Sequence, residues 1–180
     1  MALRCFRNSI ELGNQVGNYF IAKLFELSDE YLTKERSFHF YKIACERGHL
    51  ISSFKVALEY LKEKKSLESL DIFNKLAEGG CVSSLNNLSY IYLLGDEKNF
   101  LKAYQLLNLA ASLGSKIAMW NLALMYKNEY TLVKDEKRST KLFKESGFSE
   151  QHEKPEFKLE ENLDDLSSNK FSGGFLSDYL

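Results

Sequence analysis

Residues 87–114 read NLSYIYLLGDEKNFLKAYQLLNLAASLG, and this stretch decides the fold because its spacing recurs along the chain. Glycines at positions 13, 48, 80 and 114 follow one another at intervals of 32 to 35 residues. The fourth, eighth, ninth and twelfth residues after each glycine are small, aliphatic, small and aromatic in turn. Offsets of four, eight and twelve follow one face of a helix, and a small ninth residue lets a neighbouring backbone approach closely. Each period therefore begins with a predicted amphipathic helix.

A second helix is predicted in each period, immediately before the next glycine. Its apolar and small residues form one helical stripe, as they do between Ala103 and Ala111 before Gly114. The glycine itself stands where a helix C-cap favours a left-handed residue. Two helices in a period near 34 residues predict an all-α fold, an α-solenoid built from helix pairs.

The same residues resemble a Sel-1-like repeat, a subclass of the tetratricopeptide superfamily. The family pattern is roughly N-L-G-x-x-Y-x-x-G followed by A-x-x-Y-Y-x-K-A-A-E-x-G, and residues 87–114 follow it closely. Residues 43–49 and 76–80 repeat its ending. The resemblance implies a right-handed α-solenoid of antiparallel helix pairs. We expect the repeat array over residues 1–148, as a leading helix and about four helix pairs, and a separate tail over residues 149–180.

The resemblance also implies where a partner would bind. In tetratricopeptide arrays, positions six, ten and thirteen after the glycine, on the first helix of each pair, tend to line the concave face. Aromatic and amide side chains there would anchor an extended or helical peptide. For the aromatic members of this set, packing between repeats is the alternative interpretation. The residues expected on the partner-binding face are Tyr19, Lys23, Phe54, Asn86, Tyr90, Trp120 and Lys127.

No pattern in the sequence predicts an enzyme. The chain contains no GxxxxGK[ST], GxGxxG or GxSxG stretch. Its three histidines and three cysteines form no i, i+4 histidine pair and no CxxC, so we expect no metal site and no cofactor. We predict a non-enzymatic adaptor or scaffold. Two alternatives stay open: a hydrolase of the kind suggested for cysteine-rich relatives, with a cleft containing His39 or Cys45, and a structural array that self-assembles through its ends.

The tail differs from the array in charge. From Ser149 onward, eight acidic residues and three lysines give a net charge of -5. Leu159, Leu163 and Leu166 have helical spacing, which predicts a short acidic helix in a mostly disordered tail that covers the end of the array. The alternative is a linear docking motif, and the final residues 178–180 would fit a carboxylate-binding pocket.

Charge and hydropathy limit the classes of partner that the chain is expected to bind. The body carries a dispersed net charge of +4, which is not the concentrated basic patch that nucleic acid requires. Charged or amide residues interrupt every apolar run long before about 18 residues, so no membrane span is predicted. We therefore expect a protein or peptide partner, neither nucleic acid nor membrane, and a cytoplasmic location. A faintly basic N-terminus makes a mitochondrial location the alternative.

Overall fold

The computed structural model describes residues 16–27, 31–96, 98–128, 130, 134–148, 156–161 and 163. All regular secondary structure in these residues is α-helical, as the repeat pattern predicts. Gly13, the expected leading helix, Leu166 and the final residues 178–180 lie outside them. The described helices are α1 Val16–Glu26, α2 Tyr31–Glu46, α3 Leu50–Lys62, α4 Ser66–Glu78, α5 Val82–Leu94, α6 Phe100–Ser112, α7 Lys116–Lys127 and α8 Glu136–Ser146.

Contacts between Cα atoms divide the chain into two compact parts, residues 1–72 and residues 73–180. We call these the N-terminal part and the C-terminal part. Within the N-terminal part, α1 packs on α2 and α2 packs on α3. Within the C-terminal part, α5 packs on α6, α6 packs on α7 and α7 packs on α8. Packing of each helix on its neighbour in sequence is the arrangement of an all-α repeat solenoid.

The repeat glycines end helices in the left-handed conformation. The repeat glycines with positive φ are Gly48 (81°), Gly80 (91°) and Gly114 (95°). After α6, the N–H of Gly114 donates to Ala111 O, and the N–H of Ser115 donates to Ala110 O. The same pair of hydrogen bonds follows α2 and α4, and together the two bonds define a Schellman cap. These caps confirm the role predicted for the glycines.

Small residues lie where paired helices cross. In the N-terminal part, Ser37 Oγ on α2 donates to Ala22 O on α1 at 2.8 Å. In the C-terminal part, Ser139 Oγ on α8 donates to Ala123 O on α7 at 2.9 Å. Helix α4 makes the same bond to α3. Each acceptor is the small residue at position nine after a repeat glycine, so the close approach predicted at that position is confirmed.

Each part has its own buried cluster. The cluster of the N-terminal part contains Ala22, Tyr41 and Val56, and that of the C-terminal part is built around Trp120 and Phe143. Burying a large apolar side chain contributes about 1.5–3 kcal/mol of stability.

Among the described helices, none combines the length and the apolar character that a membrane crossing requires.

Candidate functional site

Three asparagines are fully buried on the first helices of two successive repeats. Asn86 and Asn87 lie on α5 and Asn121 lies on α7, and each is 0% exposed. A buried polar group without a hydrogen-bond partner costs about 1–3 kcal/mol, so buried amides are nearly always paired. The partners of these three amides define the candidate site.

Those partners are backbone groups of the C-terminal tail. The N–H of Lys158 donates to Asn121 Oδ1, and Asn121 Nδ2 donates to Lys158 O, both at 2.7 Å. Glu160 pairs with Asn87 in the same way: its N–H donates to Asn87 Oδ1 at 2.8 Å, and its carbonyl accepts from Asn87 Nδ2 at 2.9 Å. Each of these two asparagines therefore satisfies both backbone groups of one tail residue.

Asn86 joins the two pairings into one network. Its Nδ2 donates to Lys158 O at 3.2 Å, and its Oδ1 accepts from Asn121 Nδ2 at 2.9 Å. Asn87 and Asn121 stand 34 residues apart, which is one repeat. The tail residues that they bind stand two apart, and alternate residues of an extended chain direct their N–H and C=O groups to the same side. Successive repeats thus bind alternate tail residues.

Trp120, the sole tryptophan of the chain, lies beside this network on α7. Its Nε1–H donates to Glu156 O at 3.0 Å. Its ring packs edge-on against Phe143 and Phe148, with centroids 4.8 and 5.8 Å away. Lys158 Nζ lies 4.7 Å from the centroid of the Trp120 ring and 4.0 Å from that of Phe148. We call the set that holds the tail backbone the asparagine groove: Asn86, Asn87, Trp120 and Asn121.

Four of the predicted partner-binding residues belong to the C-terminal part. The structure brings Asn86 and Trp120 together around the tail. Tyr90 is half-buried on α5. Lys127 is exposed at the end of α7, with its Nζ 5.6 Å from the centroid of the Phe143 ring. A role in partner binding stays a prediction for all four.

The other three predicted residues belong to the N-terminal part. Phe54 is only 1% exposed, so it packs in the core and presents almost no surface to a partner. Tyr19 is half-buried, and its ring centroid lies 4.7 Å from that of His49. Lys23 is exposed and forms an ion pair with Glu26 at 3.3 Å. For Phe54, the burial favours the alternative interpretation, packing between helices.

Sequence reasoning missed Asn87 and Asn121. Both stand at position seven after a repeat glycine, one residue beyond the position that the resemblance indicated. The signal was nevertheless present, because an amide recurs at the same position of two successive repeats on a predominantly apolar helix. A buried recurring amide requires a recurring partner, and here the tail backbone supplies it.

The described tail residues are not helical. The helix predicted from the spacing of Leu159 and Leu163 is not found in residues 156–161 or at residue 163. In a helix, the N–H groups would bond to carbonyls within the tail. The N–H groups of Lys158 and Glu160 instead bond to asparagine side chains, so contacts with the repeats override the local pattern.

Position seven carries Lys55 in the N-terminal part, where the C-terminal part has asparagine. Lys55 Nζ donates to Glu26, and the Tyr41 hydroxyl donates to the same carboxylate at 2.8 Å. Burial by itself raises the pKa of Glu26, but the hydrogen bonds from Lys55 and Tyr41 outweigh it and hold the pKa below its ordinary value. Burial and the neighbouring carboxylate raise the pKa of Tyr41. This repeat therefore uses position seven for an ion pair with α1 of the preceding repeat.

The two residues named for the hydrolase alternative lie in α2. His39 is exposed and its ring touches that of Phe40, with centroids 5.7 Å apart. Cys45 is half-buried and packs against the cluster of the N-terminal part. Within the part of the chain that the structure describes, no three His, Cys, Asp or Glu side chains are grouped so that they could hold a metal ion. These contacts give the hydrolase alternative no support.

Comparison with known families matches the repeats directly. A family model described as Sel1 repeat matches residues 22–49, 82–115 and 116–146, which together make up just over half of the chain. The chain belongs to the Sel1 repeat family. Sel1 repeat proteins are generally non-enzymatic adaptors that bind other proteins. Membership thus indicates a protein-interaction scaffold.

Two solved structures share the Sel1 repeat solenoid fold. One is a protective antigen present in uropathogenic Escherichia coli strains and displaying an SLR fold; its TM-score is 0.68 at 23% identity, over 81% of this chain and 32% of that one. The other is a Sel1 repeat protein from Oxalobacter formigenes, with a TM-score of 0.58 at 22% identity, over 74% of this chain and 58% of that one. The chain thus spans less than two thirds of either protein. No curated protein matches it.

Proposed function

We propose that this Sel1 repeat protein is an adaptor that binds an extended segment of another protein in the asparagine groove. The observation that carries the proposal is the double hydrogen bonding of Asn121 to Lys158 and of Asn87 to Glu160. Every residue except proline offers one backbone N–H and one C=O. A groove that binds both groups is therefore able to accept extended segments other than the tail.

In this proposal the tail is a tethered competitor of the partner. A short tether keeps a segment at an effective concentration on the order of millimolar. The partner segment must therefore bind more tightly than the tail or bind while the tail is released. Tyr90 and Lys127, on the two helices that carry the groove, are the proposed flanking contacts to the partner.

Releasing the tail tests the proposal without altering the groove. Proline at positions 158 and 160 removes the two N–H donors that pair with the asparagines. The chain carrying Lys158→Pro/Glu160→Pro is used as bait in lysate from the source cells, beside the unmodified chain. A third bait carries the same changes together with Asn87→Leu and Asn121→Leu. A groove partner is captured more by the tail-released bait than by the intact chain, and is lost from the third bait.

A matched control separates the groove from a general loss of amides. Asn108, on α6, donates to Tyr104 O of its own helix at 2.9 Å. Asn108→Leu in the tail-released bait is expected to leave capture unchanged, once circular dichroism has shown that every bait is folded. Capture that is the same for all baits, or that Asn108→Leu abolishes as well, contradicts binding in the asparagine groove.

A further inference from the structure

The tail places one cation against two aromatic rings. Lys158 Nζ lies 4.0 Å from the centroid of the Phe148 ring and 4.7 Å from that of the Trp120 ring. Both distances are within the roughly 6 Å over which an ammonium is attracted to the face of an aromatic ring. Lys158 is half-buried, so its ammonium is partly withdrawn from water, where the attraction is stronger. The two rings provide a cation-binding cage.

The repeats hold the rings of this cage in place. Trp120 is 1% exposed and packs against Phe143. Phe148 follows Gly147, which ends α8 with φ 75°, and its N–H donates to Ser146 Oγ at 3.3 Å. The cage is therefore built from α7 and from the turn after α8.

The backbone pairing decides which side chain enters the cage. Because Asn121 binds both backbone groups of residue 158, the side chain of that residue has one position relative to the rings. Asn87 fixes the register again two residues later. Shifting an extended segment by one residue turns its side chains to the opposite side, so a bound segment presents one defined residue to Trp120 and Phe148.

We propose that the asparagine groove selects protein segments that carry a lysine at the residue paired with Asn121. This inference rests on the proposed function and adds a sequence requirement to it. The partner is an extended segment in which the lysine enters the cage between Trp120 and Phe148, while the backbone of that residue and of the second residue after it pair with asparagine. The chain's own residues 156–160 satisfy this requirement through Lys158.

The first test measures tail docking in the full chain. Trp120 is the sole tryptophan, so quenching of its fluorescence by acrylamide reports whether the tail covers it. Lys158→Met keeps a long apolar side chain without the charge, and Lys158→Arg keeps a cation. We expect Lys158→Met to shift quenching most of the way towards that of Lys158→Pro/Glu160→Pro, and Lys158→Arg to stay near the intact chain. Equal quenching of Lys158→Met and the intact chain overturns the proposal.

The second test separates the cage from the backbone pairing. Peptides with the sequence of residues 156–163, EFKLEENL, are titrated into the 180-residue chain carrying Lys158→Pro/Glu160→Pro, with the same fluorescence readout. Replacing the lysine by norleucine removes only the charged nitrogen and is expected to weaken binding about tenfold. Methylating the backbone nitrogen of that lysine removes its N–H and is expected to weaken binding by a similar or larger factor. Changing Glu161 to Gln, which removes one charge at an exposed neighbouring position, is the control and is expected to have little effect.

The outcomes distinguish the two proposals. If the norleucine peptide binds as well as the lysine peptide while N-methylation abolishes binding, selection of lysine is wrong and backbone binding stands. If the unmodified peptide does not bind, or if N-methylation has no effect, the groove does not bind extended segments as proposed and both proposals are overturned. Weakening of the norleucine and N-methyl peptides together supports both.

Discussion

Position seven after the repeat glycine differs between the two parts of the molecule. In the N-terminal part it is Phe20 after Gly13 and Lys55 after Gly48, and the ammonium of Lys55 pairs with Glu26. In the C-terminal part it is Asn87 and Asn121, whose amides bind the tail backbone. The surrounding scaffold is alike in both parts, since each part has a Schellman cap at a repeat glycine and a serine bonded across a helix pair. A Sel1 repeat can therefore keep its fold while position seven either pairs with the preceding repeat, as Lys55 does, or binds the tail, as Asn87 and Asn121 do.

The ion pair of Lys55 and the amide bonds of Asn87 and Asn121 also differ in how deeply their side chains are buried. The side chains of Lys55 and Glu26 remain 31% and 39% exposed, and ion pairs exposed to water contribute about 0–1 kcal/mol. Asn87 and Asn121 are 0% exposed, where leaving an amide unpaired costs about 1–3 kcal/mol. The groove is thus the place where a single change has the greater consequence.

The largest expected effect comes from changing position seven in each part. Asn121→Leu removes both bonds to Lys158 and the bond that Asn121 donates to Asn86 Oδ1, so we expect a loss of about 1–3 kcal/mol and release of the tail. Lys55→Leu is expected to cost less than about 1 kcal/mol and to leave the tail bound. Hydrogen exchange of residues 156–161 measures release, and urea unfolding measures stability. Faster hydrogen exchange of the tail in Lys55→Leu, or unchanged exchange in Asn121→Leu, would show that position seven does not differ in function between the two parts.

Changing a capping glycine in each part should give similar effects, because the caps are shared. An added Cβ at Gly48 or Gly114 meets no other atom within 4 Å, so only the left-handed backbone is strained. We expect Gly48→Ala and Gly114→Ala each to lose about 1–2 kcal/mol in urea unfolding. Gly79, whose φ is not positive, is the control, and its alanine variant is expected to be nearly neutral. A large loss in only one part would show that the scaffolds are not equivalent.

The serine at the helix crossing allows a finer comparison of the two scaffolds. Ser37→Ala and Ser139→Ala each remove one buried hydroxyl that donates to a neighbouring helix. We expect each variant to lose about 1 kcal/mol. Ser112 is exposed and bonds to Leu109 O of its own helix, so Ser112→Ala should change thermal unfolding little. Losses at Ser37 and Ser139 that differ strongly would mean that the two crossings are packed differently.

The smallest expected effect is a pH dependence confined to one helix cap. His49 caps α3 by accepting from the Ser52 N–H, and Ser115 caps α7 with a hydroxyl that does not titrate. Burial lowers the pKa of His49 below its ordinary 6.5. Its contribution to stability is therefore complete above pH 6.5 and is lost as the pH falls through the lowered pKa. His49→Asn supplies a cap without that titration.

Thermal unfolding between pH 5 and 8 checks this expectation. The slope with pH should be shallower in His49→Asn than in the intact chain, while Ser115→Asn should leave the slope unchanged. A slope that is the same in His49→Asn and the intact chain would show that the cap does not contribute to the pH dependence.

Local patterns predicted the fold well because the features that fix it are local. The glycine period placed the caps, and the small residue at position nine placed the crossings at Ala22 and Ala123. Asn86 and Trp120, which the sequence suggested as contacts to a partner, bind the tail, and their role towards a partner stays a prediction; Asn87 and Asn121 were missed. The conformation of the tail could not be predicted from the local sequence, because Glu160 is bonded to Asn87, which lies 73 residues away. The leucine spacing of the tail favours a helix, and bonding of the N–H groups of Lys158 and Glu160 to the buried amides explains why residues 156–161 are not helical.

The pairing of one asparagine per repeat with every second tail residue has a further consequence. Such a surface has a reading frame of two residues. Moving a bound chain along by two keeps every backbone pair in place and exchanges one set of side chains for the next. A shift of one breaks every pair. If position seven were asparagine in more repeats, the frame would lengthen by two residues for each repeat, and the energetic penalty for an out-of-frame segment would grow with it.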